Sequence, residues 1–181
     1  GDIFAFQDAS AIESISSISL PDSVTAIHSF AFFNCINLTS ISMPDSLKTI
    51  GKEAFYYCKS LTSLSLPASL TTIDDYAFEY CKSLTTSLPA SVETIGNGAF
   101  YGCRSLTSIT LPASIKTIGK WTFGGCVSLA SITLPDSLTT IDGYAFTSCK
   151  SLTNITLPAS LTTISYYAFW FSGLTNITIP D

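Results

Sequence analysis

Charge is what this chain has least of. Only 12% of its 181 residues are Asp, Glu, Lys or Arg, roughly half the usual share, so its surface must be covered largely by neutral Ser, Thr, Asn and Tyr. Eight Lys and Arg stand against 13 Asp and Glu, for a net charge of −5. No basic cluster forms, which argues against a nucleic-acid partner, because phosphate binding needs grouped Lys and Arg to displace counterions. Histidine occurs once, at His28. A His-Glu-x-x-His pair, a catalytic triad, a nucleophile elbow and a phosphate-binding glycine loop are all missing, and His28 reads as a coil-edge residue. No apolar run approaches the length of a membrane span, and no charged-then-apolar leader opens at Gly1. With no catalytic, cofactor-binding or metal-ligating residue to nominate, the chain reads as non-enzymatic.

What is present is repetition. The stretch from Leu134 to Thr156, LPDSLTTIDGYAFTSCKSLTNIT, recurs in near-copies from about Leu20 onward. Prolines fall at 21, 44, 67, 89, 112, 135, 158 and 180, and cysteines at 35, 58, 81, 103, 126 and 149, spaced by 23 or 22. A unit of this length must bury its apolar side chains against its own neighbours. Residues 1–181 therefore read as one elongated domain, with 1–20 an imperfect first coil in which Ile12 stands where later coils have Cys. Because the chain opens partway through a repeat and stops at Pro180-Asp181, it reads as a piece of a longer protein.

Within a coil, Leu152-x-x-Ile155-x-Leu157 reads as a short strand with Ile155 and Leu157 inward and Asn154 and Thr156 outward. Pro158 ends it, since proline has no amide hydrogen to continue a ladder. Ser160, repeated as Ser23, Ser46, Ser69, Ser91, Ser114 and Ser137, sits at a turn where its hydroxyl can bond the nearby backbone. Leu161 to Ile164 forms a second extended piece. Gly or Asp then turns the chain into Ala-Phe-x-x-Cys, where the spacing of Ala145, Phe146 and Cys149 predicts one helical turn with a buried side. Roughly eight inward positions per coil, at about 1.5–3 kcal/mol for each large side chain, offset ordering only when coils stack on both sides. The expectation is an α/β solenoid of about seven coils of 22–23 residues, with a parallel sheet on one face, short helical turns opposite, and a length of about 35 Å.

The frame Leu-x-x-Ile-x-Leu-Pro-x-x-Leu-x-x-Ile-Gly-x-x-Ala-Phe-x-x-Cys resembles the BspA-like, or Treponema-type, leucine-rich repeats from about Ile15 to Pro180. That resemblance implies a curved solenoid displayed on or secreted from the cell, often engaged in adhesion, and it carries no catalytic residues or cofactor. After Cys81 the chain departs from the pattern: it reads LTTSLP where a sibling reads LTSLSLP. One residue is missing, and Thr86 falls in the slot of Leu64 or Ile109. A local slip or shallow cavity is expected there, with a partner for the Thr86 hydroxyl.

Four constellations remain. The six cysteines, one per coil, predict a column of free buried thiols, because parallel Cβ vectors disfavour bridging and zinc needs clustered ligands. Outward Ser, Thr and Asn residues form a hydroxyl array that reads either as solvated strand surface or as a lattice facing ice or carbohydrate. Lys59, Lys82, Arg104 and Lys150 form a broken basic row read as a solvated edge, with acids such as Glu79 able to relieve its self-repulsion. Aromatic residues beside the recurring Ala-Phe vary from copy to copy, and Tyr56, Tyr57, Tyr80, Tyr101, Trp121, Tyr144, Tyr167 and Trp170 are the candidate interface, against a role in packing coils together. Asn37, Asn154 and Asn176 lie in Asn-x-Ser/Thr triplets that could accept glycans. The expected function is an extracellular or surface binding module whose partner is another surface protein, without nucleic acid or membrane insertion. The rival is a structural spacer.

Overall fold

The computed structural model describes residues 14–179, so the comparison of Ile12 with the cysteines lies outside the described residues. Fifteen short strands follow the repeat: β1 (Ser17–Ser19), β2 (Ala26–Ile27), β3 (Ser40–Ser42), β4 (Thr49–Ile50), β5 (Ser63–Leu64), β6 (Thr72–Ile73), β7 (Thr85–Thr86), β8 (Thr94–Ile95), β9 (Ser108–Thr110), β10 (Thr117–Ile118), β11 (Ser131–Thr133), β12 (Thr140–Ile141), β13 (Asn154–Thr156), β14 (Thr163–Ile164) and β15 (Asn176–Thr178). Each pairs in parallel with its counterpart one coil away, as Ile50 with Ile27 and Ile73, or Ile155 with Ile177. Each coil thus has two strand faces, the odd-numbered strands before the proline and the even-numbered ones after it.

The third face corrects the expected helical turn: the described residues contain no helix, and the solenoid is all-β. The reason lies in where the backbone donors go. In the Ala-Phe-x-x-Cys run alternate amides bond within the coil, three residues back, as Ala54 N–H to the Gly51 carbonyl (3.2 Å) and Cys58 N–H to Phe55 (3.1 Å). The amides between them point along the solenoid: Phe32 N–H donates to Ala54, Phe55 to Ala77 and Phe78 to Ala99, each at 2.8 Å. A helix would consume both sets internally. Here two residues per coil, four apart, take positive φ, from Phe30 and Asn34 through Tyr76 and Tyr80 to Tyr167 and Phe171. The spacing of one and three that mimics a helical face is met by tandem tight turns, and their outward amides stitch coil to coil.

Inside, Phe32, Phe55, Phe78, Phe100, Phe123, Phe146 and Phe169 stack in single file, with centroids 5.1 to 5.7 Å apart and planes within 15°. The six cysteines form the expected column of free, buried thiols. Each thiol from Cys58 to Cys149 donates to the carbonyl of the preceding coil's Phe, as Cys81 to Phe55 at 3.0 Å. Burial raises the pKa of Cys81, Cys103 and Cys126 and lifts that of Cys149 to about 12, so these sulfurs act as small apolar fillers with a weak donor. The turn serines differ from expectation in reach. They donate to the preceding coil rather than locally, as Ser69 Oγ to the Leu47 carbonyl (2.6 Å) and Ser137 Oγ to Ile115 (2.8 Å). A hydroxyl repeated every 22 or 23 residues finds its nearest open carbonyl one coil away.

The missing residue after Cys81 has the expected effect. Thr86 pairs with Leu64, is half-buried, and donates through Oγ1 to the Leu64 carbonyl at 2.9 Å. The disturbance then spreads. Strand pairing on the even face runs β2-β4-β6-β8 and resumes as β10-β12-β14, while the odd face is bonded only in pairs, β1-β3, β5-β7, β9-β11 and β13-β15, so that its break between β7 and β9 is one of three. Neither β7 with β9 nor β8 with β10 is hydrogen-bonded, and shallow hollows open at both places, lined by Thr86 and Ser108 and by Thr94 and Thr117. The turn face crosses the gap intact: Gly98 donates to Lys120 (2.8 Å) and Gly102 to Gly124 (2.7 Å).

Candidate functional site

The turn face carries the varied residues of the repeat. Because Ala and Phe of each Ala-Phe-x-x-Cys point inward, the residues flanking them fall in columns along the turn face, exposed or half-buried except where the small residues Gly98, Gly102, Gly124 and Thr147 are covered. One column holds Phe30, Glu53, Tyr76, Gly98, Trp121, Tyr144 and Tyr167; a second holds Phe33, Tyr56, Glu79, Tyr101, Gly124, Thr147 and Trp170; a third holds Asn34, Tyr57, Tyr80, Gly102, Gly125, Ser148 and Phe171. All eight candidate interface residues fall in these columns.

They also touch. Tyr56 lies 6.2 Å from Tyr57 and 6.1 Å from Tyr80; Tyr80 meets Tyr101 at 5.3 Å, and Tyr101 meets Trp121 at 5.7 Å and nearly perpendicular. Trp121 stacks flat on Tyr144 at 4.2 Å, and Tyr144 reaches Tyr167 at 5.3 Å and Trp170 at 6.4 Å. The eight rings make one unbroken ridge, so packing between coils and exposure on one face are properties of the same side chains. Tyr167 and Trp170 are 58% and 49% exposed, and the other six are half-buried. The ridge has further members: Phe30, 45% exposed and in edge contact with Phe33, and Tyr76. Phe30 was legible in the sequence as the first copy of the Tyr76 and Trp121 offset, although the blurred start of the chain hides it.

Midway along the ridge an open recess of about 220 Å³ is lined by Tyr76, Glu79, Tyr101 and Trp121. It lies where the first column has Gly98 between Tyr76 and Trp121. A side chain at Gly98 would collide with the Tyr76 ring, 2.4 Å from the position a Cβ would take, and the φ of +60° there disfavours one as well. Burial, followed by repulsion from Glu53, holds the Glu79 carboxyl up at about 7. Burial also raises Tyr80, with Tyr101 and Glu79 adding to it. Of the basic row, Lys59, Arg104 and Lys150 are exposed. Lys82 is half-buried and, instead of pairing with Glu79, sets its ammonium 5.2 Å from the centroid of Tyr57.

Other candidates lie elsewhere. Asn37, Asn154 and Asn176 are exposed, and Asn176 Nδ2 donates to Asn154 Oδ1 at 3.1 Å, forming a short amide ladder. The outward Ser and Thr residues of the odd-numbered strands are exposed, but their sheet is divided into pairs, which breaks the regular spacing a lattice needs. His28 is exposed, and among the described residues no group of three or more His, Cys, Asp and Glu could hold a metal ion.

Sequence comparison matches the BspA type leucine rich repeat region, in six copies, over residues 4–87 and 85–181. The chain belongs to the BspA-type leucine-rich repeat family. Solved leucine-rich repeat proteins agree with its fold. A leucine-rich repeat protein from Bacteroides ovatus is 37% identical with a TM-score of 0.86, over 93% of this chain and 44% of that one. The leucine rich repeat protein of T. pallidum is 38% identical with a TM-score of 0.74, over 77% of this chain and 65% of that one. A protein of Faecalibacterium prausnitzii described as a leucine rich cell surface protein is 30% identical with a TM-score of 0.77, over 91% and 48%. This BspA-type chain therefore spans less than half the length of the B. ovatus protein. No curated protein matches it.

Proposed function

We propose that this BspA-type solenoid is a non-enzymatic module, placed at the cell surface or outside the cell, that binds another protein through its aromatic turn face and so mediates adhesion. One observation carries the choice of face. Tyr57, Tyr76, Tyr80, Trp121, Tyr144 and Tyr167 all sit at positive φ, where a residue with a Cβ is disfavoured by about 1–2 kcal/mol relative to glycine. The same offsets carry Gly98, Gly102 and Gly125 in the middle coils, so the repeat folds with glycine there and the large rings are not required to close the turn. Rings held on a strained, rigid backbone offer area at low entropy cost, which suits a contact surface. The likeness to a protein described as a cell surface protein supports the placement, and the scarcity of Lys and Arg favours a protein partner over nucleic acid or membrane.

The test is surface capture of extracellular-matrix proteins by three forms: the unchanged protein, a ridge variant (Tyr57→Gly with Tyr80→Gly) and an odd-strand variant (Ser108→Lys with Ser131→Lys). The ridge variant is expected to weaken capture at least about tenfold, as loss of two aromatic anchors does, while the strand variant binds unchanged. Capture lost in the strand variant alone would move the site to the sheet. Silence with every protein would leave the solenoid a spacer.

A further inference from the structure

We propose that the recess formed by Tyr76, Glu79, Tyr101 and Trp121 is a cage for the ammonium group of a lysine side chain presented by the partner protein. This rests on the turn face being the binding face, and it names what one part of that face recognises. Four observations converge on it. Three of the four lining residues are aromatic, and their rings carry the negative faces that attract a cation. The fourth is a carboxylate, which can accept a hydrogen bond from an ammonium but gains nothing of that kind from a quaternary ion. The Tyr76 wall is set by the sequence: its ring lies directly over Gly98, 2.4 Å from where a Cβ would stand, so only glycine at that offset lets the ring take this place. Finally, the molecule already displays the same pairing a short way along the ridge, with Lys82 Nζ over the Tyr57 ring.

Charge complementarity selects the occupant. Glu79 is half-buried among rings, with Glu53 as its nearest charged influence, and among the described residues no Lys or Arg forms an ion pair with it. A half-buried acid of this kind lacks a counter-ion, and an incoming ammonium would supply one while its butyl stem lies along the rings. Lysine fits better than arginine, because Tyr101 and Trp121 meet edge to face at 85° and so offer no pair of parallel faces on which a planar guanidinium could stack.

The cage can be tested without knowing the partner. The probe is Nα-acetyl-lysine methylamide, titrated at pH 8 into the intact protein while the two indole N–H signals are followed by NMR. Nα-acetyl-norleucine methylamide serves as the uncharged match and tetramethylammonium chloride as the ion without donors. The expected result is a saturable shift of the Trp121 indole, no shift at Trp170, about tenfold weaker binding in Glu79→Gln, as befits a lost charge-assisted bond, and no saturation with norleucine. Equal response to norleucine, a response confined to Trp170, or binding indifferent to Glu79→Gln would each overturn the proposal. Tetramethylammonium binding tighter than the lysine probe would overturn it in favour of a quaternary ammonium site. Gly98→Ala, whose methyl would push the Tyr76 wall of the recess off its seat, should lose the Trp121 response while the ring signals of Tyr167 and Trp170 stay in place; a retained response counts against the assignment. Failure of the lysine probe while ridge variants still abolish protein capture would remove this inference and leave the binding face standing. The reverse outcome, a lysine response with capture indifferent to ridge variants, would remove the binding face and with it the partner's lysine as the occupant.

Discussion

At the scale of single residues, this protein places polar groups only where the neighbouring coil can answer them. Thr86, the turn serines and the column cysteines each donate to a carbonyl one coil away. Glu79 is the exception, and its cost shows in its proton affinity. The carboxyl is held at about 7 against an ordinary 4.5, first by burial and then by the charge of Glu53. Between those values the folded state binds the proton more tightly than the unfolded chain, so folding takes up a proton and stability falls as pH rises from about 4.5 to about 7. The penalty is complete above that window and absent below it. Tyr56 and Tyr80 also feel the Glu79 charge but titrate at higher pH, outside this window. Glu79→Gln should therefore raise the melting temperature at pH 8 and leave it unchanged near pH 4, as followed by circular dichroism. An equal gain at both values would mean that the ring packing, and not the charge, set the effect.

Among the elements, the phenylalanine file sets the stability of the coils and the turn ladder sets their shape. Phe100 stacks between Phe78 at 5.5 Å and Phe123 at 5.7 Å and is fully buried, whereas Phe169 has one stacked neighbour, Phe146 at 5.4 Å, and is half-buried. Nearest-neighbour stacking makes an interior copy worth more than a terminal one. Phe100→Ala should cost about 3–5 kcal/mol, and Phe169→Ala no more than about 2 kcal/mol, both by urea denaturation. Equal costs would contradict a nearest-neighbour column. This file, the cysteine column and the strand alternation were legible in the sequence because each repeats at a fixed offset every 22 or 23 residues. The turn face was not. Its spacing of Ala, Phe and Cys suits a helical turn as well as tandem tight turns, and only the glycines at 98, 102 and 125 hinted that those offsets take positive φ. The ridge residues were legible one by one, but the recess was not, since it depends on how the Tyr76 ring lies over Gly98 and on an acid, Glu79, that had seemed only a possible neighbour for the lysine row.

For the whole molecule, the consequential feature is one absent residue. The coil that begins at Leu84 is a residue short; there the even-strand ladder, unbroken on either side, stops and restarts, and β7 and β9 are unbonded like two other pairs of neighbours on the odd face, while the turn face and phenylalanine file continue. The solenoid is thus continuous along its turn face and parted once along its even-numbered strands, with the recess lying on the unbroken side beside the gap. That arrangement concentrates local opening at β7, β8, β9 and β10 while holding Tyr76, Tyr101 and Trp121 in register. Inserting Leu between Thr86 and Ser87 would restore the reading LTTLSLP, return Thr86 to an outward slot and fill the vacant inward one. Burial of one leucine should add about 2 kcal/mol, and the paired strands should gain amide protection in hydrogen exchange at Ser108 and Thr117. The indole signal of Trp121 and the lysine response of the recess should not move, because the ladder from Gly98 to Lys120 and from Gly102 to Gly124 is already complete. If the insertion stabilised the protein and yet displaced Trp121, the strand gap would be part of what shapes the turn face; if it left exchange at Thr117 unchanged, the gap would have a cause other than the missing residue.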